Sequence, residues 1–346
     1  MAENRGKVPG VLMTLLFSML FFVPPSLALN LALEPIQPVP EQLPHHAGKA
    51  TLGEKLFFES KLSGDNSINC AHCHELDEMG GGDGLKRSFG VEGRVGLANS
   101  PTVFNAALNF AQFWDGRAPS LEEQVAGPVT AHAEMASQWP QVLEKLKSDT
   151  YYKKTFSTLY ETGITVANIK HAIAEFERTL ITPNSRFDRY LKGDDKAISA
   201  EEKHGYQVFK EYGCTACHQG ANVGGNLFQV LGVMGDYFKD HPVENDSDLG
   251  RFNVTGIDAD KHRFKVPSLR MVVLTAPYFH NGAYDSLYDA IRTMAKYQLG
   301  REIPDDDVRS IISFLYTLPG EFRGRSLEPE EKKHLIFPQK KESPRP

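Results

Sequence analysis

The sequence predicts a mainly α-helical fold in two domains, with long loops and little strand. Three observations carry that expectation. Apolar residues recur at helical spacing in several segments, alternating strand patterns are scarce, and one short motif occurs twice in similar surroundings. A chain of 346 residues has room for about two domains, each with its own apolar core. The helical stripes are Ile169, Ile173, Phe176 and Leu180, then Leu287, Ala290, Ile291 and Met294, then Val308, Ile311, Ile312 and Leu315. Val208, Phe209 and Tyr212 form a further stripe that leads into Cys214. Thr51-x-x-Glu54 and Ser199-x-x-Glu202 read as capping boxes that open two of the helices. The glycine- and proline-rich stretches 79–101 and 219–268 are long, and a compact domain carries such loops only where something organises them. The segment "TPNSRFDRYLKGDD", 182–195, reads as the join between the two domains.

The N-terminus points to export. Arg5 and Lys7 precede the apolar run "VLMTLLFSMLFFV", followed by Pro24-Pro25 and the small-residue site Ser26-Leu27-Ala28. This is the pattern of a secretory signal over residues 1–28. Its apolar run of 13 residues is short of the roughly 20 that span a bilayer, so no stable membrane span is expected after cleavage. Net charge is −6 with Lys and Arg spread along the chain, which excludes a basic nucleic-acid stripe.

Four cysteines in an exported chain would ordinarily form two disulfides. Here both pairs are C-x-x-C and each is followed at once by histidine: Cys70, Cys73 and His74 in "CAHCH", and Cys214, Cys217 and His218 in "CTACH". C-x-x-C-H is the attachment pattern of a c-type haem, in which two thioethers pin the vinyl groups and the next residue is the proximal iron ligand. A four-cysteine zinc site or a redox dithiol has no use for that histidine. His72 lies between the attachment points and reads as a solvated bystander. The surroundings repeat as well: "GEKLFF" before the first motif and "GYQVF" before the second share Gly-x-x-apolar-Phe, with 144 positions between Cys70 and Cys214. The chain thus reads as two cytochrome c-like domains, each holding one covalently bound haem c.

From about residue 50 to 320 the chain resembles the bacterial dihaem cytochrome c peroxidases, a family that includes a MauG-like branch. The stretches carrying the resemblance are "CAHCH", "GGGDGL", "NSPTVFNAALNFAQFWDGRAPSLEEQVAGPV", "FERTLITPNSRFDRYLKG", "CTACHQGANVGG", "GRFNVT" and "VPSLRMVVLTAPYFHNGAYDSLYDAI". It implies a peroxidatic haem domain over 29–183, an electron-receiving haem domain over 184–320, and a tail, 321–346, that packs back on the first. It implies also a periplasmic homodimer, hydrogen peroxide as substrate, and a small cytochrome c or cupredoxin as electron donor. A calcium ion between the domains would take Asn99 and the backbone carbonyls of Thr275 and Pro277.

Peroxide reduction needs an open iron face, a group that moves a proton between the oxygens, and two electrons. The second haem supplies an electron if its potential is high, and a thioether ligand opposite histidine raises it. Of Met234, Met271 and Met294 downstream of His218, the resemblance selects Met294, although its place on an apolar stripe suits ordinary core packing too. The resemblance assigns Glu134 as the catalytic acid–base, Gln124 as its partner amide and Trp114 as a residue between the haems. His132 matches no family position and reads as a loop residue, and Trp139 reads as core.

One position departs from the family. Many members carry a histidine in the loop after the first C-x-x-C-H that caps the peroxidatic iron. Aligning that loop on its glycines and on "NSPTV" places Val91 there, and no histidine occurs between His74 and His132. Met79 and Lys86 are the remaining candidates in the loop. The N-terminal haem is therefore expected to be open without reductive activation. Two other functions compete: a MauG-like enzyme that uses peroxide to oxidise side chains of a partner protein, and a dihaem electron carrier without catalysis.

Overall fold

The computed structural model describes Met1, Ala2 and residues 31–329. The export signal expected at 1–28 lies, but for its first two residues, outside the described residues, as does the tail beyond 329. Helices dominate: α1 (Ala47–Phe57), α2 (Leu121–Thr130), α3 (Trp139–Ser148), α4 (Thr150–Leu159), α5 (Val166–Glu177), α6 (Arg186–Leu191), α7 (Ala200–Glu211), α8 (Tyr237–Asp240), α9 (Phe252–Thr255), α10 (Leu287–Met294) and α11 (Asp305–Leu315). Strand is confined, among the described residues, to two antiparallel pairs, β1 (Phe228–Val230) with β2 (Arg263–Lys265) and β3 (Glu321–Phe322) with β4 (Arg325–Ser326). No helix among the described residues is long and apolar enough to cross a membrane.

The repeated Gly-x-x-apolar-Phe motif has a steric cause that the structure shows twice. A Cβ on Gly53 of α1 would stand 1.8 Å from the Ala172 carbonyl of α5, and one on Gly205 of α7 would stand 1.8 Å from the Ser310 carbonyl of α11. Each glycine lets two helices cross backbone to backbone, a closeness that any side chain would forbid. The phenylalanine one turn on then meets an aromatic of the crossing helix. Phe57 packs edge-on against Phe176 at 5.3 Å, and Phe209 lies 5.3 Å from Phe314. The helix pairs α1/α5 and α7/α11 are thus the same unit built twice.

Two main cores surround these pairs. One gathers Leu52, Leu56, Val125, Val142, Phe156 and Ile169, and the other Phe187, Tyr206, Val208, Val308, Ile312 and Phe314. The 182–195 segment is more than a join, because α6 within it buries Phe187 and Leu191 in the second core. Its Asp188 is fully buried and pairs with the equally buried Arg270 at 2.8 Å. Arg270 also donates to the carbonyls of Ala221 and Gln37, both at 2.7 Å, so the charge is satisfied throughout. After α11 the chain returns to the first unit. Phe322 packs on Phe104, Arg323 pairs with Glu54, and Arg325 pairs with Asp77.

One expected capping box is absent. Helix α1 begins a turn before Thr51, because the His46 side chain accepts the Lys49 amide and caps it there. Thr51 sits inside the helix, its hydroxyl donating to the Ala47 carbonyl at 3.0 Å. The Ser199–Glu202 box does open α7. The 219–268 stretch is not structureless either: it contains β1, β2 and the short helices α8 and α9.

Candidate active site

Both C-x-x-C-H motifs fold identically. Cys70–His72 and Cys214–Ala216 form single tight turns, and the amides of His74 and His218 donate to the Cys70 and Cys214 carbonyls at 3.0 and 2.9 Å. His74 Nδ1 lies 3.1 Å from the Gly81 carbonyl, and His218 Nδ1 lies 3.3 Å from that of Val223. A carbonyl only accepts, so Nδ1 carries the proton and each ring's lone pair sits on Nε2. Burial lowers both histidine pKa values, that of His218 to about 4, which keeps the rings neutral and fit to bind a metal. Burial also pushes the Cys70 and Cys214 thiols up to about 12 and Cys73 up to about 11. Thiols so disfavoured as thiolates do not suit a reactive dithiol.

The two motifs open into separate cavities. One, of about 790 Å³, is lined by Cys70, Cys73 and His74; the other, of about 280 Å³, by Cys214, Cys217 and His218. This separation rules out a single four-cysteine metal site, and no cluster of three or more His, Cys, Asp or Glu among the described residues could hold a metal. Two adjacent thiols, a neutral imidazole locked by its Nδ1–H and a wall rich in apolar side chains fit a thioether-bound haem in each cavity. The first cavity is the larger of the two.

Gln124 and Glu134 both line this first cavity, with His74. Gln124 stands on α2, whose N-terminus Ser120 caps, and Glu134 follows the turn that ends α2. Burial raises the Glu134 carboxyl above the ordinary range, with the Arg117 guanidinium opposing it. Arg117, on the same wall, escaped the sequence reading although it stands in the quoted "FWDGR". Val91 is not on the wall. It is buried in the first core, 4 % exposed, while its amide donates to the Glu134 carbonyl at 2.8 Å. Its loop gives the cavity Ser88, Gly90 and the run from Gly96 to Pro101, and neither Met79 nor Lys86 lines it. Lys86 pairs instead with Glu244. His72 is exposed but not idle: its Nε2–H donates to the Phe89 carbonyl at 3.0 Å and ties down that loop. His132, read as a loop residue, sits in the turn after α2 and is exposed, yet it also lines the cavity with Glu134.

Glu177 is a wall residue that the sequence reading missed. It is 5 % exposed, lines the first cavity and has one carboxyl oxygen with no hydrogen-bond partner. Burial pushes its pKa up to about 8, Glu122 adds to the rise, and Arg178 opposes it. Superposing the two units in sequence, with Phe176 on Phe314, sets Glu177 against Leu315, which lines the second cavity. That comparison within the chain is the signal that could have found it.

In the second cavity Met294 shares the wall with His218. It ends α10 just before a π-helical turn, Ala295–Leu299, and such turns often mark functional sites. Met234 is 63 % exposed, and Met271 is buried elsewhere, with the Thr182 hydroxyl 3.9 Å from its sulfur. Trp114 lines both cavities. Its indole N–H donates to the Asn99 carbonyl at 2.9 Å, and the Asn99 amide donates to the His280 carbonyl at 2.8 Å. His280 and Asp248, both buried, pair at 2.6 Å. Burial works to raise the Asp248 carboxyl, but the His280 bond and the Asn245 and Glu244 amides hold it below the usual range. Asn99, Thr275 and Pro277 all line the second cavity. Trp139, half-buried, packs on the first core.

These features have clear counterparts among known proteins. The family described as di-haem cytochrome c peroxidase matches residues 47–196. The cytochrome c peroxidase Ccp of Escherichia coli is 48% identical over 290 residues, which are 84% of this chain and 62% of that protein, so the chain spans less than two thirds of that relative. The cytochrome c551 peroxidase of Nitrosomonas europaea is 42% identical over 313 residues, 90% of each chain. Among solved structures, a MauG-like protein associated with microbial copper homeostasis shares the fold, with a TM-score of 0.71 at 23% identity, over 82% of this chain and 93% of the other. Identity of 42% sustained over 90% of a relative's length, together with two cavities each offering paired thiols and a neutral imidazole, makes this chain a member of the dihaem cytochrome c peroxidase family, with two c-type haems.

Proposed function

We propose that this chain is an exported peroxidase that reduces hydrogen peroxide to water in the first cavity, using electrons received in the second from a small cytochrome c or cupredoxin. One observation carries the reading: Glu134 and Gln124 share a cavity with His74, while Met294 shares the other with His218. The balanced reaction takes one peroxide, two electrons and two protons to two waters. Bound haems supply the redox chemistry, His74 and His218 serving as proximal ligands and Met294 as the second ligand of the electron-receiving haem. Glu134, its pKa raised by burial, takes the proton from one peroxide oxygen and returns it to the other, and the Gln124 amide orients the peroxide. Trp114, shared by both walls, stands on the electron route. Asn99 with the carbonyls of Thr275 and Pro277 supplies the all-oxygen donor set that calcium takes. Periplasmic location and a homodimer complete the proposal.

The first cavity is proposed to work without reductive activation, since its loop offers the wall no histidine, methionine or lysine. Steady-state peroxide turnover with a reduced cytochrome c, before and after pre-reduction, should give equal rates. Electron spin resonance of the oxidised protein should show one high-spin ferric haem. Two low-spin haems would refute the open site, and a high-spin signal that appears only in His132→Ala would assign the cap to His132. No turnover with any small donor would favour the MauG-like oxidation of a partner protein. No turnover combined with reversible electron uptake would favour a carrier.

A further inference from the structure

Lys265 is a buried cation without a counter-ion. It is 6 % exposed and lines the second cavity. Its backbone is well provided for, since its amide donates to the Trp114 carbonyl at 2.7 Å and the residue pairs with Phe228 across β1 and β2. No carboxylate among the described residues stands within ion-pair distance of its ammonium, and burial alone pushes its pKa down to about 8. Arg270 shows how this fold treats another buried cation. It is 0 % exposed, and it receives a carboxylate and two carbonyls from the chain itself. An unpaired buried ammonium is costly enough that a folded chain retains one only where something else supplies the partner.

The cavity suggests what that partner is. Haem c brings two propionate carboxylates, and the chain provides no acid facing Lys265. The equivalent position in the first unit, counted back from Pro101 and Pro267 behind the two histidines, is the neutral Asn99, so the cation is specific to the second cavity. We propose that Lys265 is the counter-ion for a propionate of the haem in the second cavity, fixing its orientation and favouring its reduced form. This rests on the two-haem reading above. The sign follows from electrostatics: reduction removes one positive charge from the iron, and a nearby cation favours that change while an unneutralised propionate opposes it.

The test uses the holoprotein and the variants Lys265→Met and Lys265→Arg. Haem content by pyridine haemochrome and the absorption band of a methionine-bound ferric haem report whether both groups and the Met294 ligation are in place. Spectroelectrochemical titration then reads each potential. In Lys265→Met the second haem's potential should fall by the equivalent of at least a tenfold shift toward the ferric form, about 59 mV for one electron. The first haem's potential should hold, and Lys265→Arg should stay close to the wild type. Attachment of the second haem that fails in Lys265→Met but not in Lys265→Arg would support the same role. An unchanged second potential in Lys265→Met, with both haems and Met294 ligation intact, would overturn it, as would equal shifts at both haems. A wild-type protein with fewer than two haems would overturn the two-haem reading instead.

Discussion

Glu177→Gln replaces a buried carboxyl, one of whose oxygens has no hydrogen-bond partner, with a neutral group of the same shape. In the folded chain Glu177 titrates near 8 against an ordinary value of 4.5, mainly through burial and with Glu122 adding to the rise. Below pH 4.5 both folded and unfolded chains hold the proton, and the carboxyl costs nothing. Above it the unfolded chain releases the proton while the folded chain keeps it, so stability falls as pH rises until the folded group also titrates near 8. The difference of about 3.5 units, at about 1.4 kcal/mol each, comes to about 5 kcal/mol over that window. The glutamine variant carries no such dependence. Its stability advantage over the wild type should therefore grow with pH, from below about 1 kcal/mol at pH 5 to about 3 kcal/mol at pH 7. Urea unfolding of the holoprotein between pH 5 and 8, followed by circular dichroism, measures that gap. A gap independent of pH would refute the reasoning, because it would mean that Glu177 does not hold a proton in the folded state.

Two further outcomes follow from the same geometry. Glu134→Gln keeps the size and burial of the side chain but cannot cycle a proton, so kcat should fall on the order of 10²–10⁴-fold while both haem spectra stay unchanged. Stopped-flow turnover checks this, and a rate near wild type would remove Glu134 from the catalytic role. Gly205→Ala forces a methyl to within 1.8 Å of the Ser310 carbonyl, so α7 and α11 must part. Overpacking of this kind costs about 1–3 kcal/mol, and thermal unfolding should place the loss in the second unit, with Gly53→Ala doing the same in the first.

The sequence by itself determined the covalent chemistry, because that chemistry is local. Cys70, Cys73 and His74, and their second copy at Cys214, Cys217 and His218, are legible since thioether attachment and proximal ligation fall within five consecutive residues. The helical stripes and the repeated glycine were legible for the same reason: a helix repeats every few residues, and its crossing point marks one of them. Even locally there were limits. Thr51 and Glu54 had the spacing of a cap, yet His46 claimed the helix start a turn earlier. What only the tertiary structure decided is long-range. It took Val91 off the cavity wall and into the core, set His132 on that wall, and put Met294, but neither Met234 nor Met271, on the wall of the cavity that His218 lines, 76 positions away in the chain. It also exposed the two groups whose burial makes sense only in three dimensions, Glu177 in one cavity and Lys265 in the other. In sequence both look like ordinary surface charges. The physical reason is that spacing encodes which groups share a helix face, whereas the cost of burying a charge depends on what the rest of the chain folds against it.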